Sequence, residues 1–395
     1  MKVLNVNTHL DPVTGGGSAE RTFQMSKYLV KAGVECTILA TDLGLTPERM
    51  KSLDGVNVIN LPCINRRFFV PRFSYSLVKN IVANVDIIHL ISHWTLINIL
   101  VYWMARRLKK PYVVCPAGVL LAYGRSRILK NAYNWIVGRQ IIRKAAGHIA
   151  ITADEIWQFQ TYGVEREKIT VIPNGINPDD FQDNNAKQFR AKYGLGEAPF
   201  VLFMGRLNLA KGPDLLLSAF CNVSEQLASY HLVFAGPDQD MLSGLKKTAS
   251  THNLKNRVHF LGYLGGADKS TAYRAAELLV IPSRREAMSI VVLEAGITGT
   301  PVLLTDKCGF NQVETTGGGM VVSASVEGLQ SGLIQMLSDP VDLKRKGERL
   351  KDFTTKNFLW DSIADQHVQL YKEILNRRKL SPCEHHRAVW KCECR

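Results

Sequence analysis

Two glutamates, Glu286 and Glu294, stand eight positions apart across a predicted strand–helix unit. The run 278–282 predicts a buried strand closed by a proline, and a helix is predicted over about 290–298 with Ser289 as its cap. Glu286 would then lie in the loop, and Glu294 would face outward from the first turns of the helix. Because helix N-termini attract anions, a diphosphate fits between these carboxylates, each holding hydroxyl groups. A nucleotide sugar has this layout, although two solvated glutamates would also fit the spacing.

A glycine-bounded loop supplies two cations to the same half of the chain. The segment 205–212 follows a predicted strand and precedes a helix predicted over 213–224, with Arg206 and Lys211 five positions apart. A guanidinium fork and an ammonium point charge can converge on one anion, although two surface bases would have the same spacing. The loop lacks the Walker spacing, and no Asp-x-Asp pair stands in a matching place. We therefore predict charge neutralisation by Arg206 and Lys211, with no metal site.

The first half of the chain also alternates strands with helices. Residues 2–7 and 35–40 predict strands, and 15–18 predicts a tight loop that opens a helix over about 19–31. A glycine triplet can equally be an ordinary loop. Further strands are predicted at 56–61, 87–90, 112–115, 148–151, 170–172, 200–204, 231–235, 258–261, 302–304 and 320–322.

The domain organisation follows from length and from one turn-rich segment. A chain of 395 residues exceeds one ordinary core, and the turn formers of 173–180 predict a linker. We expect an α/β protein with two doubly wound domains facing a cleft, over 1–173 and 174–359. A long helix over about 360–378, packed back on the first domain, and a polar tail over 379–395 complete the prediction.

The net charge of +14 is unevenly distributed. Between Arg66 and Lys144 there are fourteen Lys and Arg residues against one acid, Asp86, a balance of +13. Bases alternate with aromatic residues in 66–73 and 123–144, which suits an anionic membrane surface or a lipid diphosphate. Nucleic acid is a rival, but no nucleic-acid-binding motif accompanies the charge, so we predict no such partner. A basic face that is merely solvated is a further interpretation of the same charges.

Other features indicate a cytoplasmic protein. The opening residues predict a strand and no signal peptide, and eight scattered cysteines fit buried thiols in a reducing compartment. The apolar stretch 85–105 carries Asp86, His89 and Asn98, which are costly in a bilayer, so a strand followed by a helix over about 95–108 is favoured. The terminal Cys and His residues match no established zinc finger, and we expect that terminus to be disordered.

Taken in order, these motifs resemble the retaining glycosyltransferase family four, which has the GT-B fold. The resemblance rests on Gly-Arg…Lys-Gly at 205–212, Ala-Gly-Pro at 235–237, Phe-Leu-Gly-Tyr at 260–263, Glu-x7-Glu from 286, Gly-x-Pro-Val at 299–302, and the segments 15–20 and 173–176. It implies transfer of a sugar, with retention, from a UDP- or GDP-sugar to an acceptor hydroxyl, without a cofactor. The surface-polysaccharide type implies a saccharide or polyprenyl-diphosphate-linked acceptor and an enzyme peripheral on the inner face of the plasma membrane.

The resemblance also implies roles for individual residues. Arg206 and Lys211 would bind the donor diphosphate, and Glu286 would contact the donor sugar. Glu294 would hold the ribose, and the backbone of Met288, Ser289 and Ile290 would bind phosphate. Leu264 would lie beside the base, and Gly16 and Gly17 would line the cleft.

Two departures from the family pattern affect these expectations. Many relatives place a histidine after the strand at 112–115, where this chain has Pro-Ala-Gly at 116–118. His93 is the nearest substitute for substrate contact, although a histidine beside an apolar run is also typical of packing. The usual Gly-Phe-Gly is replaced at 287–289, which alters the sugar pocket. An epimerase, a soluble glucan synthase and a non-catalytic nucleotide-sugar-binding module are the alternatives.

Overall fold

Short runs of aliphatic residues form the strands of two parallel sheets. Ile87–Ile91 and Leu278–Ile281 are buried along their whole length, as expected where helices cover both faces of a sheet. The computed structural model describes residues 1–44, 46–121 and 127–389, with only the backbone for 12–14, 48 and 380–389. The chain divides into two units: Met1–Gly175 with Trp360–Arg395, and Ile176–Leu359.

The first unit contains one large sheet, a two-stranded ribbon and its helices. Its strands are β1 Lys2–Val6, β2 Glu35–Thr41, β3 Asn57–Leu61, β4 Cys63–Asn65, β5 Val70–Pro71, β6 Ile87–Ile91, β7 Tyr112–Cys115, β8 Gly147–Ala150 and β9 Ile169–Val171. Its helices are α1 Pro12–Lys31, α2 Pro47–Lys51, α3 Tyr75–Ala83, α4 Leu96–Arg107, α5 Arg127–Tyr133, α6 Arg139–Arg143, α7 Ile156–Gln160 and the C-terminal helix Trp360–Val389. The described strands of the large sheet run in the order β3-β2-β1-β6-β7-β8-β9.

The second unit is a continuous segment around another parallel sheet. Its strands are β10 Phe200–Met204, β11 His231–Ala235, β12 Val258–Gly262, β13 Leu278–Ile281, β14 Val302–Thr305 and β15 Gly319–Val322. Its helices are α8 Ala186–Tyr193, α9 Pro213–Asn222, α10 Leu242–Thr251, α11 Gly266–Ala275, α12 Ile290–Thr298, α13 Gln312–Thr315, α14 Val326–Leu337 and α15 Pro340–Asn357. The strand order is β12-β11-β10-β13-β14-β15, so the winding direction reverses between β10 and β13. The predicted α/β class with two doubly wound, Rossmann-like domains is confirmed.

The start of α1 corrects one prediction. The glycine loop expected to precede the helix lies within the helical run Pro12–Lys31, which breaks at Gly16 with φ 55° and ψ −140°. Glycine reaches this backbone conformation readily, whereas residues with a Cβ rarely do. The predicted turn therefore survives as a break inside the helix.

The C-terminal helix, α16, packs into the first unit through buried polar contacts. The Tyr371 hydroxyl lies 2.7 Å from Nδ1 of His89, and His367 Nε2 lies 3.3 Å from the Arg21 guanidinium. Arg21, which is 1% exposed, also donates to the backbone of Ile172 and Pro173. The Arg21 side chain thus joins α1 to the backbone of Ile172 and Pro173 and to α16.

The extent of α16 corrects a second prediction. The helix was expected to end near residue 378 and give way to a disordered tail, but its backbone continues to Val389. The Cys and His side chains of the tail lie outside the described residues. Among the helices described here, none combines the length and the apolar character needed to cross a bilayer.

Candidate active site

The reversal between β10 and β13 places two loops side by side. In open parallel sheets, ligands bind beyond the carboxyl ends of the strands at such a switch point. The loop after β10 carries Arg206 and Lys211, and the loop after β13 carries Glu286. The topology therefore brings together the motifs that were separate in the sequence.

Glycine permits the two loops to touch. Gly212 has φ +68°, and a Cβ there would lie 2.1 Å from the Pro282 carbonyl oxygen. The Asn208 side chain accepts a hydrogen bond of 3.0 Å from the amide of Lys211, which fixes the turn between the two cations. The spacing of this loop is thus set by contact with its neighbour as well as by its own turn.

Lys211 and Glu286 form an ion pair across the loops. Lys211 Nζ donates to Glu286 Oε1 at 2.5 Å, with side-chain exposures of 24% and 15%. The second carboxylate oxygen, Oε2, accepts a hydrogen bond of 3.2 Å from the Ser283 hydroxyl. Arg206 is partly exposed, and its guanidinium has no side-chain partner among the described residues. The convergence of Arg206 and Lys211 on one anion stays a prediction, and the contact that Lys211 makes in the structure is the ion pair with Glu286.

The loop after β14 contacts the backbone of Glu286 and Ala287, and the sequence analysis did not predict this contact. The amide of Glu286 donates to the carbonyl of Lys307 at 2.8 Å, and Gly309 packs against the carbonyl of Ala287. A Cβ on Gly309 would lie 1.8 Å from that carbonyl oxygen. Nearby Cys308 is fully buried, and burial together with the Glu286 charge raises the pKa of its thiol to about 11. The sequence feature that could have indicated this contact is Gly309, which follows the strand predicted at 302–304.

The N-terminus of α12 confirms the predicted helix but not its cap. The helix runs Ile290–Thr298 and ends at Gly299, as predicted, with Ser289 at the N-cap position. The Ser289 hydroxyl makes no capping hydrogen bond, and its oxygen is buried without a hydrogen-bond partner among the described residues. Ser289 and Ile290 stand at the start of the helix, where backbone amides can donate to an anion, and phosphate contact from the backbone of Met288, Ser289 and Ile290 stays a prediction.

Glu294 is buried, which corrects the prediction that it faces outward. Its exposure is 7%, and both of its oxygens accept hydrogen bonds. Tyr273 donates to Oε2 at 2.6 Å and Lys269 donates to Oε1 at 2.9 Å. Burial, reinforced by the Glu294 charge, raises the pKa of Tyr273 well above its ordinary value, so this hydroxyl stays a donor. The carboxylate is held at a fixed place one turn inside the helix. Leu264, the residue expected beside a base, is buried at 3%.

The predicted residues of the first unit lie near the carboxyl ends of β1 and β6. Gly16 forms the break in α1 and Gly17 follows it, and a Cβ on Gly16 would meet no atom within 4 Å. His93 follows β6 and is 1% exposed. Its Nε2 donates to the Asn134 side-chain oxygen at 2.9 Å, because the Asn134 amide nitrogen donates to Tyr162. His93 is thus packed and hydrogen-bonded, as the packing alternative describes, and its contact with substrate stays a prediction.

Acidification should destabilise the first unit through this histidine. Burial lowers the pKa of His93 from 6.5 to about 4. The unfolded chain therefore binds a proton below pH 6.5 that the folded chain takes up only near pH 4, and stability falls across this window as the pH falls. The loss should reach roughly 3 kcal/mol as the pH approaches 4, measured by urea titration at several pH values. Burial also lowers the pKa values of His89 and His367 in the same unit, so these residues contribute to the same acid loss. His93→Gln, which keeps a neutral donor toward Asn134, should therefore reduce the slope by the share of one proton, and an unchanged slope would contradict the assignment.

Two family models match the chain, one in each unit. The model described as "Glycosyl transferase 4-like domain" matches residues 16–175, and "Glycosyl transferases group 1" matches residues 185–356. The second range contains the loops after β10, β13 and β14 together with α12.

Curated relatives resemble part of the chain. An uncharacterised glycosyltransferase of Methanocaldococcus jannaschii, MJ1607, is 30% identical over 218 residues, which cover 53% of this chain and 55% of that protein. The D-inositol 3-phosphate glycosyltransferase of Nocardia farcinica is 30% identical over 247 residues, covering 60% of this chain and 54% of the relative. The chain therefore spans about half the length of the curated relatives it matches.

A solved structure matches nearly the whole chain. Anabaena Alr3699/HepE, crystallised with UDP and glucose, superposes with a TM-score of 0.77 over 94% of this chain and 100% of that one, at 18% identity. Two parallel Rossmann-like domains of this kind define the GT-B class of proteins. Within that class, the chain is similar to glycosyl transferase domains in both units, through the group 1 model over residues 185–356 and the 4-like model over residues 16–175.

Proposed function

We propose that the chain transfers a sugar from a nucleotide-sugar donor to a hydroxyl of a saccharide acceptor, with retention and without a divalent ion or cofactor. The observation that carries this proposal is the Lys211–Glu286 ion pair beside the N-terminus of α12, with Glu294 fixed one turn further on. Arg206, Lys211 and the helix amides would hold the diphosphate. Glu286 would take the sugar hydroxyls and Glu294 the ribose.

Donor binding would rearrange the ion pair. Lys211 and Glu286 form an ion pair with each other, and a diphosphate would compete for the ammonium group because it carries more negative charge than one carboxylate. Once Lys211 turns to phosphate, Glu286 keeps the Ser283 hydrogen bond and gains a free oxygen for a sugar hydroxyl. The pair thus keeps both groups ordered before the donor arrives, which reduces the reorganisation needed for catalysis.

The transfer step needs no enzyme nucleophile. The bond between the anomeric carbon and the phosphate oxygen breaks, and the acceptor oxygen bonds to the same face of that carbon. As the first bond breaks, negative charge accumulates on the nucleoside diphosphate, and its departing phosphate oxygen takes the acceptor proton. Arg206, Lys211 and the start of α12 would stabilise that charge.

The donor can be identified by thermal shift with UDP-, GDP- and ADP-sugars, followed by release of nucleoside diphosphate with and without acceptor. We expect a UDP-sugar to raise the melting temperature most, since the Anabaena protein of the same fold was crystallised with UDP. Turnover should persist in excess EDTA. A chain that no nucleotide sugar stabilises would refute the proposal, and a donor converted only to an isomeric nucleotide sugar would indicate an epimerase.

For the acceptor, we infer a polyprenyl-diphosphate-linked saccharide used in surface-polysaccharide synthesis, at the cytoplasmic face of the plasma membrane. The +13 balance of residues 66–144 and the bases interleaved with aromatic residues support an anionic lipid environment. The test is transfer of radiolabelled sugar to organic-extractable lipid in membranes. Product confined to the aqueous phase would exclude this acceptor.

A small phosphorylated acceptor is the second candidate. It is favoured by the Nocardia relative, whose name specifies D-inositol 3-phosphate, and the same basic surface could attract one phosphate. Competition between the two acceptor classes in a single donor assay separates them.

Tyr273 should position the donor through Glu294. We expect Tyr273→Phe to raise the KM for the donor roughly tenfold or more with little change in kcat, because a hydrogen bond to a charged group contributes about 1.5–3 kcal/mol. Tyr193→Phe is the matched control, since Tyr193 donates to Asp268 at 2.8 Å elsewhere in the same unit. Equal kinetics for both variants would remove Tyr273 from the donor site.

A further inference from the structure

One continuous helical segment of the first unit presents large apolar side chains to solvent. It comprises α5, a π-helical turn over Asn134–Gly138, and α6, and we call residues 127–143 the docking helix. Ile128 and Trp135 are each 85% exposed, and Ile136 is 64% exposed. Neighbouring exposed side chains of this size mark an interaction surface.

The π-helical turn carries residues that face inward and residues that face outward. Asn134 points inward to hydrogen bonds with His93 and Tyr162, and Val137 is buried at 4%. Trp135 and Ile136, which lie between them in the sequence, are on the outer surface. Such turns occur frequently at functional positions.

The charge beside these residues is of one sign. Exposed Arg127, Arg139 and Lys144 flank the apolar side chains, and residues 127–144 contain no Asp or Glu. Exposed apolar side chains interspersed with bases are typical of a helix lying in the headgroup layer of an anionic bilayer. An ordinary protein partner would have to match this charge with a strongly acidic face.

The docking helix is attached directly to the loop after β6. Besides the Asn134–His93 bond, the Tyr133 hydroxyl donates to the His93 carbonyl at 2.6 Å, and Lys130 Nζ lies 5.6 Å from the centre of the Trp94 ring. These contacts join the outer surface to the carboxyl end of β6, beside the point where the first sheet reverses its winding. The position of the docking helix therefore fixes the position of the loop after β6.

We propose that the docking helix lies in the headgroup layer of an anionic bilayer, with Ile128, Trp135 and Ile136 inserted and Arg139 and Lys144 at lipid phosphates. The attachment through Asn134 then holds the carboxyl end of β6 at the depth where the hydroxyl of a lipid-linked acceptor lies. Only this last consequence rests on the proposed function; the docking itself does not.

Vesicle flotation of the whole chain tests the docking. The parent protein should float with vesicles of phosphatidylglycerol and phosphatidylcholine, and much less with phosphatidylcholine alone. The double variant Trp135→Ser/Ile136→Ser should bind about tenfold more weakly, because it removes the inserted apolar area. Arg139→Gln/Lys144→Gln should lose binding mainly at low salt, where surface charge is least screened.

Two controls match these variants in the second unit. Val341→Ser removes an apolar side chain that is 77% exposed, and Lys246→Gln/Lys247→Gln removes two exposed charges. Both should float like the parent, and all variants should keep its melting temperature. Binding that is equal for the docking-helix variants and the controls would overturn the proposal.

Two further results separate this inference from the proposed function. UDP-sugar hydrolysis without acceptor should be unchanged in Trp135→Ser/Ile136→Ser, so loss of flotation with intact hydrolysis supports docking alone. Concentration-dependent dimerisation by analytical ultracentrifugation, abolished by the same variant and accompanied by no vesicle binding, would assign the surface to a second copy of the chain and reject the bilayer.

Discussion

Replacing Lys211 with alanine should lower kcat for sugar transfer about a hundredfold or more while leaving the fold intact. The ammonium group is the charge placed to follow the departing phosphate, and the loss of one preorganised donor of this kind costs roughly 2.7–4 kcal/mol in the transition state. The side chain is 24% exposed and fills no part of the core, so the melting temperature should change little. The measurement is nucleoside diphosphate release at saturating donor and acceptor.

Lys307→Ala provides the matched control. Lys307 is also a lysine paired with a carboxylate, Asp306, at 2.6 Å, and its side chain is 55% exposed. Its backbone carbonyl still accepts the amide of Glu286 in the variant. If the Lys211 and Lys307 variants turn over at similar rates, the assignment of Lys211 to the leaving group is wrong.

Replacing Gly309 with alanine should abolish donor binding through the backbone. A Cβ at Gly309 would lie 1.8 Å from the Ala287 carbonyl oxygen, far inside van der Waals contact, so the segment that carries Glu286 and Met288 must move. Because catalytic groups need placement within about 0.5 Å, we expect activity to fall at least about a hundredfold. Calorimetry with the best donor nucleotide measures the loss directly.

The variant Gly196→Ala distinguishes the steric clash of a Cβ at Gly309 from the backbone strain of a left-handed conformation. Gly196 has φ +62°, close to the +61° of Gly309, but a Cβ there meets nothing within 4 Å. Both variants pay about 1–2 kcal/mol for an L-residue in the left-handed region. Only the Gly309 variant should lose the donor site. Equal nucleotide affinity in both variants would show that the loop after β14 does not shape this site.

Local sequence patterns predicted the elements of this protein well. Helix α12 begins and ends where its cap, its apolar run and Gly299 indicate, and Tyr112–Cys115 forms a strand over the predicted residues. These features depend on neighbours in the chain, so a window of the sequence contains the information. The order of the family motifs then located the loops that carry Lys211 and Glu286.

Contacts between distant residues could not be predicted in the same way. Glu294 was expected to face solvent, yet Tyr273 and Lys269, which lie 21 and 25 residues earlier, bury and bond it. Glu294 is buried because α11 packs against α12, and the helical periodicity of the sequence does not predict that packing. The same applies to Lys211, whose partner is 75 residues away, and to the unsatisfied hydroxyl of Ser289.

The discontinuous first unit has a consequence for how this chain is made. The second unit, Ile176–Leu359, is complete once its last residue has left the ribosome, whereas the first unit still lacks Trp360 onward. Until α16 emerges, Arg21 and His89 have no partner in His367 or Tyr371, and apolar surface stays uncovered. The unit translated first should therefore mature last, and a nascent chain halted near Leu359 should engage chaperones more strongly than the released protein.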